Sequence, residues 1–138
     1  MATLLQIVTP EGKVFSDKVD LVVVPGAEGE LGLLSLHAPL VTTLKPGELR
    51  YTKDGQEHVF AVGSGLLEVT QDSVAVLSDL AVNEKDIDEA AVEKALEAAR
   101  KAYEERPDDA HPEDIVALQL AIQKAMAQLS VRRRRHHL

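Results

Sequence analysis

The stretch Pro25–Arg50, PGAEGELGLLSLHAPLVTTLKPGELR, decides how this chain is read. Its glycines and prolines mark the corners of a strand-turn-strand framework. The cluster Glu28-Gly29-Glu30-Leu31-Gly32 falls at the tip, and His37-Ala38-Pro39-Leu40 follows. Gly26, Gly29 and Gly32 are spaced GxxGxxG. A dinucleotide fingerprint needs GxGxxG ahead of a helix, and a P-loop ends in Gly-Lys-Ser/Thr. Neither is present, so turn geometry is the better account of these glycines.

Outward from this stretch, the first half of the chain reads as β. Leu4–Val8 runs into the turn sequence Thr9-Pro10-Glu11-Gly12, and Leu21–Val24 stops at Pro25-Gly26. Asp54-Gly55 separates Tyr51-Thr52 from His58–Val62, a strong hairpin signal because both turn residues tolerate positive φ. Gly63-Ser64-Gly65 and Gln71-Asp72 punctuate short strands over Leu66–Thr70 and Ser73–Leu77. Many short strands spaced by turns predict an all-β sandwich or barrel over residues 1–84.

At about Asn83 the period changes. Val92, Leu96, Ala99 and Tyr103 recur at helical spacing, with Asp86 and Asp88 as candidate caps. Arg106-Pro107-Asp108-Asp109 breaks the pattern, and a second helix is expected from Pro112, a residue suited to a first turn. Its expected stripe is Ile115, Leu118, Ile122, Ala125, Met126 and Leu129. Residues 85–138 therefore form an antiparallel two-helix hairpin, and the fold class is mixed, β then α. Alanine-rich faces bury little area, so at roughly 25 cal/mol per Å² the seam is weakly held. Both a fixed cap and a hairpin that opens and re-docks fit this.

Composition narrows the function. The 138 residues fit one compact domain with an appendage. Four aromatic residues and no tryptophan leave Val, Leu, Ile and Ala to build the core, and the absence of cysteine rules out disulfides. The net charge of −8 divides into −7 over residues 1–84 and −1 over 85–138, where Arg132–Arg135 are consecutive. An acidic chain lacks the basic face that nucleic acid needs. No apolar run reaches membrane-span length, and the N-terminus has no signal-peptide pattern, so membrane association is expected only through a partner.

No catalytic constellation emerges. Gly63-Ser64-Gly65-Leu66 is not the G-x-S-x-G elbow, and His37 and His58 have no triad signature around them. The five histidines form no HExxH or similar metal spacing. Four adjacent arginines exceed what a helix C-terminus gains from positive charge and suit an acidic partner surface.

The glycine, glutamate and His-Ala-Pro run in Pro25–Arg50 closely resembles the epsilon subunits of F-type ATP synthases. The resemblance continues through Gly63-Ser64-Gly65-Leu66-Leu67-Glu68-Val69 and Asp86-Ile87-Asp88-Glu89-Ala90. It closes with Ala121–Val131, AIQKAMAQLSV, and so covers nearly the whole chain. It implies a non-catalytic rotor subunit in the central stalk of a proton-translocating ATP synthase, joining the γ subunit to the ring of c subunits. The tip with Glu30 and the loop with His37 would face the c ring, and the remaining sandwich surface would pack on γ. The complex would sit at the cytoplasmic face of a bacterial plasma membrane.

For the helical hairpin the resemblance implies inhibition of ATP hydrolysis through contact with the α and β subunits. Lys124, Arg132, Arg133, Arg134 and Arg135 are the candidates for acidic loops of β. Some bacterial members bind ATP through an Ile/Leu-Asp-x-x-Arg-Ala motif. Ile87 and Asp88 match it, but Ala91 stands at the arginine position and Val92 at the alanine. Without the guanidinium a main phosphate partner is missing, so no cofactor is expected and Asp88 is left as a helix cap. An ATP-sensing subunit and a coupling subunit without inhibitory action are the alternatives.

Overall fold

The computed structural model describes residues 2–33 and 38–136, the last three of these by backbone alone. Ten strands come first: β1 (Thr3–Thr9), β2 (Gly12–Val19), β3 (Leu21–Gly26), β4 (Gly29–Leu33) and β5 (Leu40–Leu44), then β6 (Gly47–Lys53), β7 (Gln56–Val62), β8 (Gly65–Val69), β9 (Ser73–Ser78) and β10 (Ala81–Asn83). A 3₁₀ turn at Glu84–Asp86 leads to α1 (Glu89–Glu104) and α2 (Pro112–His136). The β-then-α order and the change of period near Asn83 are as expected.

Pairing runs β10-β7-β6-β3-β5-β8-β9-β1-β2, with β4 added to β3. All neighbours are antiparallel except β1 and β9, which align Leu4 with Ser73 through Val8 with Leu77. Phe15 of the end strand β2 meets Tyr51 of β6 at 4.8 Å and Phe60 of β7 at 5.9 Å between ring centroids, folding that end of the sheet onto strands near the other. The result is a nearly closed sandwich. Inside lie the alternate residues of each strand, among them Leu5, Ile7, Val22, Val24, Leu49, Leu67 and Val76. Period-2 alternation is the reason: one set of side chains faces the core and the other faces out.

The predicted hairpin at Asp54-Gly55 forms with φ of 53° and 78° at its two corner residues. Four strands were not anticipated in full. Gly12–Val19 carries Lys13, Asp17 and Lys18 on a largely exposed edge strand, where charge blunts further pairing. β4, β5 and β10 are short. Pro25 does not end its strand, because Pro25 pairs with Glu30 and its carbonyl accepts the N–H of Lys45. Glu30 and Gly32 therefore lie within β4, and the corner itself is Ala27-Glu28. Of the three GxxGxxG glycines, Gly29 has the left-handed φ of 129° that turn geometry demands, while a Cβ at Gly32 would meet nothing within 4 Å.

The helices fold back on the sandwich. Val92 and Leu96 of α1 and Ala125, Leu129 and Val131 of α2 pack with Ile87 against the outward side chains Val59 and Ala61 of β7. This second core is separate from the first. The expected α2 stripe needs one correction: Met126 is 48% exposed, whereas Ala127 and Val131 are buried. The last turns of α2 are covered both by α1 and by the sheet, so burial there spreads beyond one 3.6-residue stripe. No helix is long and apolar enough to cross a membrane among the described residues.

Candidate functional site

Two of the basic residues singled out in the helices, Lys124 and Arg133, are engaged within the chain. Lys124 Nζ lies 2.5 Å from Asp79 Oδ2, tying α2 to the turn after β9. Arg133 Nε donates to Glu89 Oε1 at 3.0 Å, and its Nη2 donates to Glu93. One guanidinium thus bridges two carboxylates a turn apart on α1, and its hydrogen bonds to Glu89 and Glu93 raise its pKa. Arg132 is half-buried, with its Nε shielded and without a hydrogen-bond partner among the described residues. The side chains of Arg134 and Arg135 lie outside the described residues.

Ile87 and Asp88 have structural work to do. Ile87 is buried in the second core, and Asp88 caps α1, its Oδ1 accepting the N–H of Ala91 at 3.1 Å. Beside the cap, a groove of about 500 Å³ runs between the helices and the sandwich. Alanines 91, 95, 117, 121 and 125 line much of it, with Asp86, Asp88 and Lys124 as its charged members. Two carboxylates and an ammonium already paired with Asp79 make poor company for a phosphate. No group of three or more His, Cys, Asp or Glu side chains able to hold a metal occurs among the described residues.

On the sandwich, Glu30 is 59% exposed and accepts from Arg50 Nη1 at 3.0 Å. Arg50 also reaches Glu48 at 3.4 Å and Glu57 at 3.9 Å, so one guanidinium gathers carboxylates from β4, β6 and β7. Burial pulls the Arg50 pKa down, but the hydrogen bonds and charges of Glu30 and Glu48 outweigh it and the net direction is up. His37 lies outside the described residues. A second sandwich pair, Lys53 with Asp17, holds the Asp17 carboxyl below the usual range, helped by the backbone N–H of Lys18.

One surface escaped sequence reasoning. Leu66 pairs with Leu77, and Leu77 with Val8, across β8, β9 and β1. Leu66 and Leu77 are exposed by 38% and 42%, and nearby Val41 on β5 by 63%. These side chains form an outward apolar row on the sheet. Strand register alone reveals it, since a run of alternating residues does not say which neighbours share the outer face.

A stiff β body with a docked helical hairpin, an apolar sheet face and charges arranged along surfaces belongs to the class of assembly subunits. The family profile for the ATP synthase delta/epsilon chain β-sandwich domain matches residues 3–84. The ATP synthase epsilon chain 1 of Methylococcus capsulatus is 48% identical over 107 residues, 77% of this chain and 76% of that one. The ATP synthase epsilon chain of Halorhodospira halophila is 44% identical over 132 residues, 94% of this chain and 92% of that one. A chain in the cryo-EM structure of Euglena gracilis mitochondrial ATP synthase (OSCP/F1/c-ring, rotational state 1) shares the fold. Its TM-score is 0.77 at 23% identity, covering 94% of this chain and 80% of that one. The chain belongs to the delta/epsilon chain family of ATP synthase, and it is a non-catalytic subunit.

Proposed function

We propose that this chain is a central-stalk subunit that couples the catalytic sector to the proton-translocating c ring, and that its helical hairpin restrains ATP hydrolysis. The observation that carries this reading is the way the hairpin is held. Its seam sets Val59 and Ala61 of the sandwich against Ile87, Val92, Leu96, Ala125, Leu129 and Val131, with the Lys124–Asp79 ion pair at its edge. Among the described residues the sandwich gives this contact Val59, Ala61 and partly buried Val82, a far smaller apolar set than its own interior. The first core, by contrast, is confined to the sandwich and includes no helix residue.

In this reading the apolar row of Leu66, Leu77 and Val41 packs on γ, and the end bearing Glu30, with the loop of His37, meets the c ring. Released, α2 carries Lys124 and Arg132–Arg135 to acidic loops of β, with α alongside. The complex places the chain at the cytoplasmic face of a bacterial plasma membrane. In this reading no nucleotide is expected on the hairpin, which is supported by Ile87 in the core, Asp88 as a cap and the two carboxylates, Asp86 and Asp88, in the groove beside them.

The test is ATP hydrolysis by the cognate α, β and γ assembly, titrated with the full chain and with a version ending at Glu84. Suppression by the full chain alone supports a sandwich anchor and a helical brake. Binding of both without suppression leaves a coupling element only, and binding of neither sinks the reading. Replacing Arg132–Arg135 by alanine is expected to relieve suppression while assembly persists; unchanged suppression removes those arginines from the contact.

A further inference from the structure

The Gly63-Ser64-Gly65 motif has no place in a reaction, yet Gly63 lies beneath the ion pair that joins hairpin to sandwich. A Cβ built at Gly63 would fall 2.0 Å from Oδ1 of Asp79 and 3.1 Å from Cβ of Leu80. Its φ lies outside the left-handed range, so backbone conformation does not demand glycine here. Space does. The Gly63 N–H is fixed by Ser78 Oγ and by the carbonyl of Leu80, each at 3.0 Å. The carboxylate of Asp79 therefore rests on a pinned, side-chain-free backbone, with Ser64 Oγ 3.4 Å from its Oδ2. That same oxygen meets Lys124 Nζ.

We propose that Gly63, Ser64 and Asp79 form a seat for Lys124 that latches the hairpin onto the sandwich and sets how often it opens. This rests on the reading that the hairpin leaves its dock. The side chains of Lys124 and Asp79 are 29% and 38% exposed, so the pair is partly shielded and still sensitive to salt. A pair of this kind changes an equilibrium by roughly two- to fivefold. Against a seam to which the sandwich gives Val59, Ala61 and partly buried Val82, that shifts the balance between docked and open. Gly63 acts as a positioning residue: a methyl group there displaces the carboxylate without altering any charge.

The chain has no cysteine, so Gln56→Cys on the sandwich and Lys94→Cys on α1 give two unique spin-label sites. Their distance distribution is measured in the full chain, alone and assembled with α, β and γ. Asp79→Asn is expected to raise the long-distance fraction of the isolated chain about two- to fivefold. Gly63→Ala should do the same, and exchanging the charges by Asp79→Lys with Lys124→Asp should restore most docking. About 0.5 M NaCl should open the original chain and leave Asp79→Asn little changed. If the original chain opens in the assembly while both single variants keep its distances, the latch is overturned and the mobile hairpin survives. If no variant opens in either setting, the mobile hairpin fails and the latch with it.

Discussion

Gly65 begins β8 directly over the backbone of β9, where a Cβ would lie 1.8 Å from the carbonyl oxygen of Leu77. That obstacle is main chain and cannot swing aside. Gly65→Ala is expected to cost about 1–3 kcal/mol by overpacking, towards the upper end, and to lower the melting temperature of the sandwich by several degrees. An unchanged thermal midpoint would show that the strands slide apart freely. The Asp17–Lys53 pair makes a different prediction. Asp17 has a depressed folded pKa, so its contribution is present above its unfolded pKa and lost as pH falls through the folded value. Lys53 has a raised pKa, so its share is full below its unfolded value and lost as pH rises through the folded one. The stability difference between the original chain and Asp17→Asn should be flat near neutrality and shrink in acid below the carboxylate range. Urea unfolding across pH measures it, and a difference that persists into strong acid rules the pair out.

Helix boundaries were legible because caps and breakers act locally. Asp88 accepts from the N–H of Ala91 and Pro112 opens α2, as the residue types predict. Asp88→Ala should cost about 1 kcal/mol, seen as faster amide exchange in α1 with the sandwich unaffected. Exchange that rises equally in both would mean the cap supports the whole molecule. The buried face of α2 was only half legible. Ala125 and Leu129 follow the helical stripe, but Met126 points to solvent while Ala127 and Val131 are covered. A helix wedged between α1 and a sheet has two buried faces, and a single period cannot encode both. Leu129→Ala, which shortens the largest α2 side chain in the seam, should undock the hairpin before it unfolds the sandwich. Amide exchange resolved by element separates the two; simultaneous loss of protection in both would contradict it.

The molecule has two cores that share β7: Phe60 and Val62 face inward, Val59 and Ala61 outward to the helices. Since the first core lies within residues 5–76, the chain ending at Glu84 should fold and unfold cooperatively with a midpoint near that of the sandwich in the full chain. Failure to fold would make the hairpin part of the body rather than an appendage. What the sequence by itself determined is whatever local chemistry controls: the Asp54-Gly55 hairpin, the change of period at Asn83, the Asp88 cap and the family signature. Only the tertiary structure decided that β1 lies parallel to β9, that Leu66 and Leu77 share an outer face, and that Lys124 and Arg133 are occupied by Asp79, Glu89 and Glu93. The physical reason is range. Turns and caps are made by residues a few positions apart, whereas these partners lie from 11 to 69 residues apart, and only the closed sheet and the docked hairpin bring them within reach.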